Sequence, residues 1–361
     1  MRILVAPDKF AGTLSAVEAA AAIAEGWRRQ APADEVDTAP MSDGGPGFVD
    51  VLNAALGGDL LAVTVAGPLG TETPATILMA GGTAYVESAQ ACGVHLTGGD
   101  NGENATTYGV GQLVSEAVAA GATRVVLGLG GSGTNDGGAG MLAALGAAAD
   151  VPLDRGGAAL EGVTEVDLSA PRAALAGVEL VAASDVDSPL AGLFGATKTF
   201  GPQKGIAEER LPWLDGVLEA YGAATDRRLA LEAGTGAAGG LGFAAMLLGG
   251  SRVPGIDLVA EAVDLSGRAR EADVVVTGEG AFDFSSRAGK VPAGVAAVAA
   301  AALRPCVVLA GQVLVGSREM RALGMDSAYS LVDAVGEERA FADPAGALAD
   351  LAQRVARTWS R

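Results

Sequence analysis

TRVVLGLGGSGTNDGGAGMLAALGAA, residues 123–148, reads as a strand, a glycine-rich loop and a helix in succession. The apolar, β-branched start suits a buried strand, and the Ala/Leu/Met tract after the loop suits a helix. Gly128, Gly130 and Gly133 fall on G-x-G-x-x-G, the spacing of a dinucleotide-binding turn. Asp150 lies about where a ribose-binding acid could stand. Thr134-Asn135-Asp136-Gly137-Gly138, however, prolongs a polar loop where a Rossmann helix should already be packing. The other reading is a backbone cradle for anions, for which amides at a loop or helix start need no net positive charge. A second cluster, GTGAAGGLG (234–242), repeats the theme before the apolar FAAMLL, and Gly239 and Gly240 are taken with it.

The same strand-then-helix pattern recurs along the chain. RILVAP (2–7), VELVAAS (178–184), DVVVTGEG (273–280) and PCVVLAG (305–311) are further apolar runs that end in Gly, Ser, Asp or Pro. Most precede an Ala-rich helical pattern, and SAVEAAAAIAEGWRR (15–29) opens with a capping box of Ser15 and Glu18. Residues 62–89 differ, with short alternating runs and turn residues that suggest antiparallel hairpins. The fold class expected is α/β: a parallel-sheet domain from 1–64 and 265–361, with a second α/β domain, 65–264, inserted into it.

With 361 residues, half of them apolar, a sizeable core is available. The formal charge of −19 argues against a nucleic-acid partner and requires local positive charge for any anionic ligand. Cys92 and Cys306 are too few for a zinc site, and the most apolar tract, VAAVAAAALRPCVVLAG (295–311), is broken by Arg304 and Pro305. No signal sequence or membrane span is expected, and a cytoplasmic location follows from that reading.

Of 24 basic residues only four are lysine: Lys9, Lys198, Lys204 and Lys290, all in or beside Gly/Pro-punctuated loops. A compact ammonium on a flexible stem suits a phosphate oxygen, which favours Lys204 and Lys290. Acids gather at strand ends: Asp8, Asp43, Asp136, Asp185, Asp187, Glu279 and Asp283. There they can hold Mg²⁺, take a proton from a hydroxyl, or simply cap helices. The D-x-D of Asp185 and Asp187 is the more pointed metal signal. His95, the one histidine, is read as structural, and neither a G-x-S-x-G elbow nor a Walker A motif occurs.

Taken in order, PDKFAGTLSA (7–16), SDGGPG (42–47), GPLG (67–70), TTYGVGQL (106–113), GLGGSGTNDGGAGM (128–141), SDVDSPL (184–190), FGPQKG (200–205), GTGAAGGLG (234–242) and TGEG with the later Gly-Lys (277–290) resemble the bacterial type I glycerate kinase family over essentially the whole chain. The chain departs from that pattern at Ala11, Pro46, Phe48, Ser285 and Ser286, and Lys9 stands before rather than after the phenylalanine. The resemblance implies a flavodoxin-like domain paired with a second α/β domain, and ATP- and Mg²⁺-dependent phosphorylation of D-glycerate to 2-phosphoglycerate. Under it Asp185 and Asp187 would hold Mg²⁺, and Lys204 and Lys290 would neutralise the transferring phosphoryl group. Gly130, Gly131, Ser132, Gly133 and Thr134 would cradle ATP phosphates or the glycerate carboxylate. Asp8, Lys9, Asn135 and Asp136 belong to the same binding set, and Asp43 or Asp283 would accept the hydroxyl proton. The partners implied are small molecules, and a homodimer is compatible with them. Phosphorylation at the 3-hydroxyl or of a related hydroxy acid is the alternative; an NAD(P)-dependent oxidoreductase or a non-catalytic binding protein is more remote.

Overall fold

Among the described residues thirteen strands follow one another: β1 (Arg2–Val5), β2 (Glu35–Thr38), β3 (Asp59–Ala66), β4 (Glu72–Ala80), β5 (Thr83–Glu87), β6 (Arg124–Gly128), β7 (Ala148–Ala149), β8 (Val166–Asp167), β9 (Glu179–Ala183), β10 (Ser251–Val253), β11 (Val274–Phe282), β12 (Cys306–Val313) and β13 (Ser327–Ser330). They are seen in a computed structural model that describes residues 1–287 and 290–360; the side chains of Ser285 and Arg287 also lie outside the description. Gly289, the glycine of the Gly-Lys pair, is therefore among the residues not described. Among the described residues no helix is long and apolar enough to cross a membrane.

The chain divides into two units, Met1–Asp43 with Asp50–Leu56 and Ile256–Arg361, and Gly44–Val49 with Gly57–Gly255. In the first, five parallel strands take the order β13-β12-β11-β1-β2, with Ile3 opposite Val36 on one side and Val274 on the other. Counted within the unit this is the flavodoxin-like order 2-1-3-4-5, and its switch point lies between β1 and β11. Ile3, Val5, Val274, Val276, Val307 and Leu309 share one core with the helices Ala16–Gln30 and Pro344–Trp359. The alternate residues Leu4, Val275 and Val308 are buried as well, as strands covered on both faces must be.

The helix Ala16–Gln30 starts at the capping box: Ser15 Oγ accepts from the Glu18 amide and Glu18 accepts from the Ser15 amide. At Gly26 it meets the C-terminal helix so closely that a Cβ would stand 1.9 Å from the Ala349 carbonyl oxygen. Its last turn carries Trp27, whose Nε1 donates to Asp34 at 3.0 Å; the chain's amino terminus pairs with the same carboxylate at 2.8 Å.

The second unit holds a six-stranded sheet ordered β10-β9-β6-β5-β4-β3. From β5 to β10 it is parallel, while β3, β4 and β5 form an antiparallel meander with Val65 opposite Thr73. Helices Tyr108–Ala119, Ala139–Ala144, Leu211–Thr225 and Leu241–Leu247 close a single apolar core with it. Because β5, β6 and β9 run parallel, the loops that follow them leave from the same edge of the sheet. The glycine-rich loop and the D-x-D loop leave from that edge, after β6 and β9.

Candidate active site

The glycine-rich loop after β6 runs on to Gly138, and the helix begins only at Ala139. A dinucleotide helix would start several residues earlier, and Asp150 is engaged elsewhere, accepting from the Thr164 amide and hydroxyl. The glycines allow two backbones to touch. A Cβ at Gly128 would lie 2.6 Å from the Gly44 carbonyl oxygen, and one at Gly130 would lie 2.5 Å from the Gly45 Cα. The loops SDGGPG and GLGGSG are therefore stacked main chain on main chain.

Next to that stack is a cavity of about 320 Å³. Gly130, Gly131 and Ser132 line it from the loop after β6, Val186 from the D-x-D loop after β9, Lys204 and Gln203 from FGPQKG, and Ala238 from the second glycine cluster. Val94, Leu129 and Phe200 complete apolar walls around a polar floor. Four loops thus converge on one pocket, with Val94 of the short helix Val94–Thr97 beside them. Ala238 takes a left-handed φ of 51°, a conformation that costs a non-glycine residue about 1–2 kcal/mol and that the packing around it must hold.

Lys204 is 2% exposed. Its Nζ donates to Ser132 Oγ at 3.0 Å and to the Thr134 carbonyl at 2.6 Å, which leaves one of three ammonium protons for a ligand. Burial lowers its pKa to about 8, opposed by the neighbouring Cys92 and Asp136. Cys92 is itself pushed up to about 12, chiefly by burial, and stays a thiol.

Several residues expected to touch ligand lie behind the pocket. Asp136 is fully buried: one oxygen accepts from the Thr107 amide and hydroxyl, both at 2.8 Å, and from the Gly140 amide, the other from the Gly138 amide. Burial raises its pKa and these four donors oppose the rise, so it acts as a clamp between two helix starts. Thr134 and Asn135 are also fully buried, and Asn135 Nδ2 donates to Thr197 Oγ1 at 2.9 Å. Gly133 donates its amide to the Cys92 carbonyl. Gly239 and Gly240 press on the same loop: Cβ atoms there would lie 2.0 Å from the Thr134 carbonyl oxygen and 2.3 Å from the Gly137 Cα. These residues shape the pocket; they do not line it.

The D-x-D pair flanks Val186, which lines the cavity. Asp187 is ion-paired with Arg252 at 2.6 Å with its side chain 82% exposed, and Asp185 is partly exposed. Lys198 pairs with the buried Asp215 at 2.6 Å, an anchor for the helix Leu211–Thr225. His95 is exposed on the short helix Val94–Thr97.

The first unit carries its own cluster at the switch point. Asp8 follows β1, and its amide donates to the Gly278 carbonyl of β11 at 2.8 Å. Lys9 Nζ stands 3.6 Å from Asp8 and 3.9 Å from Asp43. Burial raises the Asp8 pKa to about 6, with Lys9 pulling down and Asp43 pushing up. Glu279, in β11, accepts from Ser286 Oγ at 2.6 Å and is raised to about 7, first by burial and further by Asp8 and Asp283, against Ser286 and Lys290. Asp8, Lys9, Asp43, Asp283 and Lys290 are thus brought into one electrostatic neighbourhood. Glu279 is the member that a reading of the sequence notes as a strand-end acid without assigning it a role; only its burial and its partner seven residues on mark it out.

Comparison with known proteins adds to this geometry. A family model described as "Glycerate kinase family" matches residues 3–360. A glycerate kinase of Bacillus subtilis is 39% identical over 355 residues, covering 94% of this chain and 93% of that protein. A glycerate 2-kinase of Escherichia coli is 37% identical over 349 residues, covering 93% and 92%. A crystal structure assigned as glycerate kinase 2 from Salmonella typhimurium LT2 superposes with a TM-score of 0.82 at 35% identity, covering 99% and 98%.

Proposed function

The chain belongs to the glycerate kinase family, and from that membership we propose that it transfers the γ-phosphoryl group of ATP to D-glycerate and forms 2-phosphoglycerate. The observation that carries the reading is the convergence of four loops on one cavity with Lys204 at its floor. Apolar walls beside Ser132, Gln203 and a buried ammonium suit a ligand that is apolar at one end and anionic at the other, as a nucleotide is.

Phosphoryl transfer asks the protein for positioning and charge stabilisation more than for covalent chemistry. In the second unit Lys204 meets charge on phosphoryl oxygens at the cavity; in the first, Lys290 at the start of the helix Val291–Ala301 is a further cation suited to anionic oxygens. Ser132 and the backbone of Gly130 and Gly131 hold phosphate or the glycerate carboxylate. Asp8 and Lys9 orient the substrate, and the acid cluster that includes Asp43 and Asp283 supplies the proton acceptor. Asp185 and Asp187, on either side of Val186 at the cavity, would hold Mg²⁺ brought with the ATP phosphates, and the ion would supply charge neutralisation.

Lys204→Met keeps the side chain's volume and removes its charge. Losing one preorganised donor costs about 10²–10³ in rate, so kcat for glycerate-dependent ADP release should fall by that much with the circular dichroism unchanged. A variant retaining kcat within roughly tenfold of wild type would show that the cavity is not where phosphoryl charge develops.

A further inference from the structure

The carboxyl groups at the switch point are not equivalent. Asp8 accepts from the Lys9 amide at 2.7 Å and faces Lys9 Nζ, and the same ammonium faces Asp43. One cation thus holds both of these acids. Glu279 stands apart: it is 6% exposed, it projects from the long strand β11 and not from a loop, and it takes a hydrogen bond from a hydroxyl where Asp8 and Asp43 face Lys9. Ser286 Oγ donates to one of its oxygens at 2.6 Å, and the same hydroxyl accepts from the Asp283 amide at 3.1 Å, which fixes the direction of the Ser286 proton. One carboxylate oxygen is therefore held by a hydroxyl that is itself held, and the second oxygen of the same group can take up a proton.

We propose that Glu279 is the general base of the transfer, with Ser286 as the residue that positions it. The assignment rests on the reading of this chain as a kinase of glycerate. In the step, the O–H bond of the substrate hydroxyl breaks and its proton goes to the second Glu279 oxygen. The substrate oxygen forms a bond to the γ-phosphorus, and the bond from that phosphorus to the bridging oxygen breaks, its electron pair leaving with ADP. The protonated Glu279 then returns its proton to solvent. The groups that face it are Asp8 and Asp283, which disfavour its ionised form, and Lys290 and Ser286, which favour it. Their balance with burial places the carboxyl near neutrality, where a base combines adequate ionisation with adequate basicity.

The test is the pH profile of kcat/KM for glycerate in the full-length protein, wild type beside Glu279→Gln and Ser286→Ala. Wild-type activity should rise through an apparent pKa near 7. Glu279→Gln should lose about 10²–10⁴ in kcat, keep its KM for ATP, and lose that rise. Ser286→Ala should lose less and move the rise to higher pH, because the bond it removes favours the ionised carboxylate; a merely structural serine would leave the profile in place. An active wild type with Glu279→Gln within roughly tenfold of it, or with the rise intact in that variant, overturns the assignment and leaves the kinase reading standing. A wild type that releases no ADP with any hydroxy acid overturns the kinase reading, and this assignment falls with it.

Discussion

Lys204 and Glu279 are both held out of water, and burial moves them toward each other on the pH scale, Lys204 down to about 8 and Glu279 up to about 7. Each shift has a consequence for stability. Between its ordinary 4.5 and about 7 the native Glu279 keeps a proton that the unfolded chain has released, so this group's contribution to stability falls as pH rises through that window. Asp8 acts in the same sense, from 3.8 to about 6. Lys204 works in a later window: between about 8 and 10.5 the unfolded chain holds the proton that the native state has shed, and stability from this group rises. Glu279→Gln cannot ionise, so it should melt higher than wild type at about pH 8, with the gap closing toward about pH 5. A variant that melts lower at both pH values would show that the ionised carboxylate stabilises the fold. Lys204 stands out in the sequence because lysine is so rare among this chain's basic residues, but the glutamate of TGEG does not. What distinguishes Glu279 is burial and a hydroxyl seven residues away, and neither is written in a local pattern. Asp136 shows the converse: beside the glycine loop it reads as a ligand group, yet its acceptors serve Thr107, 29 positions earlier in the chain.

Among the elements, β1, β6, β9, β11 and β12 are legible because both of their faces are buried and their sequences are correspondingly apolar. β2, β10 and β13 are not: EVDT, SRV and SAYS are three or four residues long and partly polar, and they become strands because a neighbouring parallel strand offers them a ladder. The capping box of Ser15 and Glu18 is legible because it is local, and it appears where the sequence places it. Helix-to-helix contact is not local, and Gly26 is the instance. In isolation Gly26→Ala should favour the helix by about 1 kcal/mol. Here the added Cβ would meet the Ala349 carbonyl oxygen at 1.9 Å, so the two helices would have to move apart, and overpacking of this kind costs about 1–3 kcal/mol. The steric term should win. A urea titration should show a lower midpoint for Gly26→Ala, and an unchanged or higher midpoint would mean that this contact yields easily.

At the scale of the whole molecule the α/β class follows from repetition of strand and helix, and the discontinuous first unit from strands β1, β2, β11, β12 and β13 sharing one sheet although more than two hundred residues separate β2 from β11 in the chain. Family membership was legible through motifs in sequence order, from PDKFAGTLSA to TGEG, none of which decides the matter alone. The net charge of −19 has its answer within each unit: the second keeps a buried ammonium at the floor of its cavity, and the first keeps Lys9 and Lys290 among its acids. The most direct measurement is phosphorus NMR of the reaction of purified protein with ATP, a magnesium salt and D-glycerate, with ADP release followed in parallel. The expected result is glycerate-dependent ADP and the resonance of a phosphate ester at the 2-hydroxyl. No ADP above a control without glycerate would contradict it, and an ester at the 3-hydroxyl would keep the kinase but contradict the product.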